Sequence, residues 1–502
     1  MAIDNYINMK LLLITLFRIF VFQPQSTDSL KVYTPQEIIQ RRIDSLTNSP
    51  FLENGFLGIS IKSVNSDKNI VEFNAKKSLH PASTMKLISS ATALMALGED
   101  YKYSTILEYS GLIKDSVLIG NIIIKGSGDP SLGSWRFKNQ PDYKQLTDRW
   151  TKKIMDLGIK KIRGRIFGDS SFFDENVLPD SWTWGDVGNY YGAGSYGLNM
   201  NENLYWVTFK PSNYMESALL VKTSPDLPYY QKINRVLTDK AGTGDQVNIY
   251  STPYQDVLIM QGFVPKGNDF SVKGSIPDPA LFSAYFLQKK LSENGISVLE
   301  TPLSYLEANK KNIYYQKPLQ IVQIDTLNSP PLRDLARECN FQSINLYAET
   351  FLKTPSVLMN LGSSTEDAIK GLKQIWQTKN VKLEGLKMKD GSGLSPSNGI
   401  TPNNMTDVLK AMYLEKSFGA FYESIPIVGV SGTVSNLGKK SKAVGNVRAK
   451  SGSIDGVRAY AGYFTARNGE MMCFSMILNK YNSDFGSATR ELEKLMILMV
   501  EL

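Results

Sequence analysis

One histidine and two cysteines in 502 residues leave this chain poorly equipped for a zinc site of the usual His/Cys kind or for a Ser-His-Asp triad. The cysteines, Cys339 and Cys473, stand too far apart to suggest a cluster, and their small number points to a fold that does not depend on disulfides. A hydrolase built from this sequence must work largely without histidine. The net charge of +8 comes without long basic runs, so it reads as a mild preference for anionic surroundings such as a cell envelope, with no nucleic-acid partner. No run approaches the roughly 18 unbroken apolar residues of a transmembrane helix, so no stable transmembrane anchor is expected. No fixed-period repeat occurs either. What is present is a globular composition, 42% hydrophobic with 11% aromatics. At roughly 100 to 200 residues per domain, the length allows two to four domains.

Lys10 precedes an apolar run from Leu11 to Phe22 that only Arg18 interrupts, and the polar stretch Gln23 to Asp28 follows. Residues 1–27 are therefore expected to be a signal peptide or N-terminal extension, and the protein to be exported to the periplasm or cell envelope. Alternation at Leu57, Ile59 and Ile61, the turn at Asn65 to Asp67, then Ile70, Val71 and Phe73 predict a β-hairpin. Pro81 opens a predicted helix whose apolar residues, Met85, Leu87, Ile88, Ala91, Leu94 and Met95, continue until Gly98. The middle, 101–317, mixes short β-like runs with Gly, Pro and Asn turns and carries a helix at Pro279 to Asn294. From about 318 the pattern is helical, with segments at Pro331 to Cys339, Leu346 to Lys353, Ser364 to Thr378 and Asn404 to Glu415. Strands follow at Val447 to Ser451, Val457 to Ala466 and Met471 to Asn479, with a hairpin turn at Arg467 to Gly469, and a helix closes the chain from Ser487 to Val500. The expected architecture is α+β: an antiparallel sheet flanked by helices from 30–100 and 318–502, holding the catalytic residues, with a large, mainly β inserted region at 101–317.

Ser83-Thr-Met-Lys86 supplies a candidate nucleophile and base. Positions i and i+3 share a helix face, so the Lys86 amine can reach the Ser83 hydroxyl with no histidine. A chain this long shows roughly one or two Ser-x-x-Lys by chance, so the pattern alone carries little. Its company carries more: Ser343-Ile-Asn345 falls between two predicted helices and Lys450-Ser-Gly452 on a predicted strand. The order Ser-x-x-Lys, Ser-x-Asn, Lys-Ser-Gly is that of penicilloyl-serine transferases.

The sequence resembles the D-alanyl-D-alanine carboxypeptidase/endopeptidase family, the class C low-molecular-mass penicillin-binding proteins of type 4. The resemblance rests on His80-Pro-Ala-Ser-Thr-Met-Lys86, Gly126-Ser-Gly-Asp-Pro-Ser-Leu132, Gly168-Asp-Ser-Ser-Phe-Phe-Asp174, Ser343-Ile-Asn-Leu-Tyr-Ala-Glu349, Asp390-Gly-Ser-Gly-Leu-Ser395 and Lys450-Ser-Gly-Ser-Ile-Asp-Gly456. Ser451 replaces the commoner threonine, and Ser127 stands where glycine is usual. The resemblance implies a penicillin-binding-protein/β-lactamase-like fold with a long insertion between the first two motifs, and no cofactor or metal. It implies peptidoglycan stem peptides as substrates, cleaved as D-Ala-D-Ala carboxypeptidase, DD-endopeptidase or both, and β-lactam antibiotics as covalent inhibitors. Ser83 would attack, with Lys86 as proton acceptor, made neutral by burial and by the charge of Lys450. Ser343 would pass a proton to the leaving amine, Asn345 would orient Lys86 and the substrate amide, and Lys450 with Ser451 would hold the terminal carboxylate. Gly452 belongs to the same substrate-binding strand, and the N–H groups of Ser83 and Ser453 would form the oxyanion hole.

Two other functions fit the same motifs. A β-lactamase-type acyl-serine hydrolase is disfavoured by the long insertion and by the Ser-x-Asn form of the second motif, and a catalytically silent cell-wall-binding scaffold by the intact set of reactive residues. Gly192-Ala-Gly-Ser-Tyr-Gly197 matches the dinucleotide pattern literally, yet no parallel strand precedes it and no helix follows. The aromatics around it, Trp182, Trp184, Tyr190 and Tyr191, are expected to pack between the insertion and the cleft. His80 is expected to be structural, and Cys339 a small buried apolar residue.

Overall fold

A computed structural model describes residues 33–66, 68–313 and 320–502; the expected signal segment lies outside them. The two ends of the chain build one antiparallel sheet. Its strands are β1 (Phe56–Ser63), β2 (Asn69–Phe73), β3 (Arg448–Ile454), β4 (Val457–Thr465) and β5 (Met471–Asn479), in the order β3-β4-β5-β1-β2. β1 and β5 pair along their whole lengths, from Phe56 opposite Asn479 to Ser63 opposite Met472. The β4–β5 turn has Gly469 at φ +84°, a conformation open to glycine and strained for other residues, and its N–H closes onto the Ala466 carbonyl.

Period-two alternation sorts this sheet into two faces. Leu57, Ile59, Ile61, Phe474, Met476 and Leu478 meet helices α1 (Pro35–Thr47) and α6 (Phe485–Met499), whose Ile39, Ile43, Leu492 and Met496 complete that core. Each such side chain contributes about 1.5–3 kcal/mol on burial. Ala459, Ala461, Cys473 and Ile477 face the other way, toward α2 (Lys86–Leu97), α3 (Leu332–Gln342), α4 (Asn345–Leu358) and α5 (Pro402–Tyr413). Thr401 caps α5 and Pro402 opens it, earlier than the apolar spacing alone predicts.

Among the described residues, 104–328 carry the other four sheets, none of which shares a strand with β1–β5. The helices Tyr143–Asp156 and Pro279–Glu293 pack into their core. The chain leaves and returns at one place: Tyr103 N–H donates to Ser329 Oγ at 3.0 Å and Ser329 N–H to the Tyr103 carbonyl at 2.9 Å. Ile321–Asn328, read as the approach to a helical segment, is a strand antiparallel to Ser104–Ser110. It is half exposed along its length, so it shows neither a buried run nor a clean alternation.

Cys339 and Cys473 are both fully buried and unpaired, and burial pushes each thiol up to about 12. A thiol needs exposure and thiolate character to react. Aromatic disulfide reagents are therefore expected to titrate neither cysteine in the native protein and both in denaturant, and reductant to leave the Tm unchanged. A fast-reacting native thiol would contradict this packing.

Candidate active site

Ser83 lies in a single 3₁₀ turn, Ala82–Met85, that runs directly into α2, where the sequence suggested one continuous helix. In a 3₁₀ turn residues three apart eclipse, so Ser83 and Lys86 stack one above the other. Lys86 Nζ lies 3.0 Å from Ser83 Oγ. Ala82, just before Ser83, has φ +45°, a left-handed value that costs a non-glycine residue of order 1 kcal/mol or more. His80 holds this turn: its Nδ1 accepts from the Ala82 N–H at 3.0 Å, which leaves Nε2 to donate to the Ser395 carbonyl at 2.8 Å. Both ring nitrogens are committed away from Ser83.

Lys86 is fully buried and makes two further contacts, to Asn345 Oδ1 at 2.6 Å and to the Ser392 carbonyl at 2.7 Å. Burial brings its pKa down to about 8, against the opposing pull of Cys339, Asp390 and Glu349. Asn345 is the first residue of α4, and its Nδ2 donates to the Tyr191 carbonyl at 2.7 Å. Because a carbonyl only accepts, that bond fixes which end of the amide faces Lys86.

Ser343 caps α3 in the left-handed conformation, φ 60°, ψ 44°, which turns the chain sharply into α4. Its Oγ accepts from Lys450 Nζ at 3.0 Å, and the same amine donates to the Ser451 carbonyl at 2.8 Å. Lys450 is fully buried, and its pKa is lowered well below the lysine range by burial first and by Lys86 second. Burial comes first for both amines, and the two like charges disfavour each other's protonated form. Ser451 Oγ lies 2.7 Å from Thr433 Oγ1, a partner no motif pointed to.

β3 brings Lys450 to Ser453 against the nucleophile turn. A Cβ on Gly452 would lie 2.5 Å from the Pro81 carbonyl oxygen and 3.1 Å from the Ser83 nitrogen, so only glycine lets the strand pass this close. A cavity of about 480 Å³ opens in front. Ser83, Ser343, Asn345 and Ser453 line it, whereas Lys86, Lys450, Ser451 and Gly452 stand behind its wall. Cys339 packs in the core beneath, and among the described residues no cluster of His, Cys, Asp and Glu could hold a metal ion.

Residues from 104–328 form the opposite wall: Arg136, Asp186, Tyr190, Tyr191, Glu202 and Lys273. Glu202 sits in three consecutive left-handed residues, Asn201 to Asn203. It accepts from Arg136 Nε at 2.7 Å, Ser134 Oγ at 2.8 Å and the Tyr347 hydroxyl at 3.1 Å. Trp182 donates to Asp390 at 2.8 Å, but Trp184 stacks on Tyr250 and stays half exposed. The glycine-rich stretch 192–197 follows a short 3₁₀ turn, Tyr190–Gly192, and opens no helix. Composition gave no sign that Glu202, Glu349 and Asp390 would be buried; for the last two, their place inside the motif segments was the available signal.

The chain is 26% identical over 450 residues to D-alanyl-D-alanine carboxypeptidase DacB of Haemophilus influenzae, covering 87% of this chain and 88% of that protein. It is 23% identical to the D-alanyl-D-alanine carboxypeptidase of an Actinomadura species, over 88% of this chain and 81% of the other. The crystal structure of penicillin-binding protein 4 from Haemophilus influenzae superposes with a TM-score of 0.75 at 24% identity, over 93% of this chain and 98% of that one. The structure of that enzyme complexed with a β-lactam gives 0.72 at 22% identity, over 92% and 98%. With residues 39–498 matching its pattern, the chain belongs to the D-Ala-D-Ala carboxypeptidase 3 (S13) family.

Proposed function

We propose that the protein is a penicillin-binding serine D-Ala-D-Ala carboxypeptidase that acts on peptidoglycan stem peptides in the cell envelope through an ester on Ser83. The observation that carries this reading is the buried Lys86 amine, 3.0 Å from Ser83 Oγ with its pKa at about 8. Such an amine is neutral often enough to take the Ser83 proton as Oγ attacks the carbonyl of the penultimate D-Ala. Asn345 holds the amine in line, and Ser343, hydrogen-bonded to Lys450, passes a proton to the departing D-Ala nitrogen. The N–H groups of Ser83 and Ser453 receive the oxyanion, and water then releases the acyl group. The terminal carboxylate docks along β3 at Ser453 and beside Ser343, both of which line the cavity, with Ser451 behind them. Lys450 stands behind them, and an arriving anion favours its charged form, because an opposite charge raises a lysine pKa. Export to the envelope fits this substrate; among the described residues no helix is long and apolar enough to cross a membrane.

Ser83→Ala is expected to fold normally and to lose all covalent labelling by a tagged penicillin; retained labelling would falsify the nucleophile. Lys86→Arg keeps the charge but cannot release the proton, so acylation should fall by orders of magnitude. In the wild type, acylation should climb with pH through about 8, the neutral fraction of Lys86 rising from about a tenth at pH 7 to about nine-tenths at pH 9. A flat profile across that window would count against Lys86 as base.

Gly452→Ala should cut acylation at least tenfold or so while the sheet persists, since the new methyl can be housed only by shifting β3 or the nucleophile turn. Amidating the terminal carboxylate of a peptide should lower kcat/KM by on the order of 2 kcal/mol in the wild type and far less in Lys450→Ala. Equal discrimination in both proteins would show that the carboxylate is read elsewhere.

A further inference from the structure

Two buried carboxylates near Lys86 have no part in the proton transfers above, and both hold the turn whose Ser392 carbonyl accepts from the base: Glu349 by the Gly391 and Ser392 N–H groups, Asp390 by the Gly393 N–H. We propose that Glu349 is a positioning residue for Lys86, acting through the main-chain carbonyl of Ser392. The proposal rests on Lys86 being the base.

Glu349 lies one turn beyond Asn345 on α4, so both side chains issue from the same face of that helix. Its side chain is buried, with Oε2 accepting the Gly391 N–H at 2.9 Å and Oε1 the Ser392 N–H at 2.8 Å. Consecutive N–H groups of an extended chain point to opposite sides, so two of them converging on one carboxylate fix a turn. In that turn the Ser392 carbonyl is aimed at Lys86 Nζ, 2.7 Å away. The turn is wedged between the helices that bear the reactive groups. Ser89 Oγ on α2 donates to the Gly391 carbonyl at 2.6 Å, and a Cβ on Gly391 would lie 2.6 Å from the Ala348 carbonyl oxygen on α4. α4 therefore holds Lys86 twice, directly through Asn345 and at one remove through Glu349.

The carboxylate also acts through its charge. It faces Asp390 on the same turn, Lys86 on α2, Cys339 on α3 and Lys353 one turn further along α4. Burial and then Asp390 raise Glu349 above the ordinary carboxylate range. In its charged form it favours the protonated Lys86, so removing the charge should carry the Lys86 titration to lower pH. A purely structural carboxylate would change stability without that displacement.

The experiment is the rate of acylation by a tagged penicillin between about pH 5 and about pH 10 for wild type, Glu349→Gln and Glu349→Asp, with Tm measured for each. Gln keeps the volume but loses the charge and one acceptor. Its plateau rate should drop by about tenfold to a hundredfold, and its acid limb should move to lower pH. Asp keeps the charge on a shorter stem, so its limb should stay in place while the plateau falls. A folded Glu349→Gln with wild-type plateau and limb would overturn the proposal. If Gln fails to fold, Asp decides: a lowered plateau with an unmoved limb supports positioning, and a wild-type rate overturns it. Lys86→Arg run beside them separates the two readings. Normal acylation in that variant removes the base itself, whereas an inactive Lys86→Arg with unaffected Glu349 variants removes only the role of Glu349.

Discussion

The site is organised around one amine that water cannot reach. Taking a lysine out of solvent is costly unless its hydrogens find acceptors, and the same burial is what makes it a base near neutrality. Lys86 meets three: the Ser83 hydroxyl, the Asn345 amide and the Ser392 carbonyl. Each comes from a different stretch of chain. The 3₁₀ turn, the left-handed kink at Ser343 and the carboxylate-bound turn at Gly391 and Ser392 can all be understood as ways of bringing these acceptors to one point. The left-handed residues Ala82 and Ser343 flank this convergence, the setting in which backbone strain is kept because the surrounding structure over-determines it.

The insertion is part of that arrangement. Tyr191 sets the orientation of the Asn345 amide with a backbone carbonyl, and Trp182 grips Asp390, which in turn accepts from the Gly393 and Ser395 N–H groups. Glu202 reaches α4 through the Tyr347 hydroxyl. The two Lys86 acceptors outside the nucleophile turn are thus each buttressed from the far wall of the cleft. A catalytic half without residues 104–328 would keep its nucleophile and base but lose the groups that hold the Asn345 amide and the Asp390 turn in place.

Where a pattern has a period, the sequence was easy to read. The alternation at Leu57, Ile59 and Ile61, the strand pair around Gly469 and the apolar stripe ending at Met499 each report a side chain's own environment. The three motifs named side chains that the fold brings together, because the chemistry they serve leaves few substitutes. The supports were hidden for a physical reason. The contributions of Tyr191 and Ser392 are peptide carbonyls, which every residue type possesses, so their identity in the sequence says nothing about the job. Glu202 and Glu349 look like solvated acids until their partners, far away in sequence, are brought beside them. The strand Ile321–Asn328 escaped for the opposite reason: half exposed on both faces, it carries hardly any pattern at all.

The neck at Tyr103 and Ser329 bears on how the chain comes to be folded. β1 pairs with β5 across most of the chain, Phe56 opposite Asn479, whereas β1–β2, β3–β4 and β4–β5 are neighbours in sequence, so completing the sheet hangs on that one distant pairing. Every strand between the neck residues finds its partners within 104–328, and that stretch can therefore close on itself early. Once it has done so, its termini are a hydrogen bond apart, and α2 and α3 are joined by a short bridge in place of a long flexible loop. Loop-closure entropy grows with the logarithm of the free length, so holding Tyr103 and Ser329 together across 104–328 lowers the entropic cost of bringing Ser83 and Ser343 into one cleft.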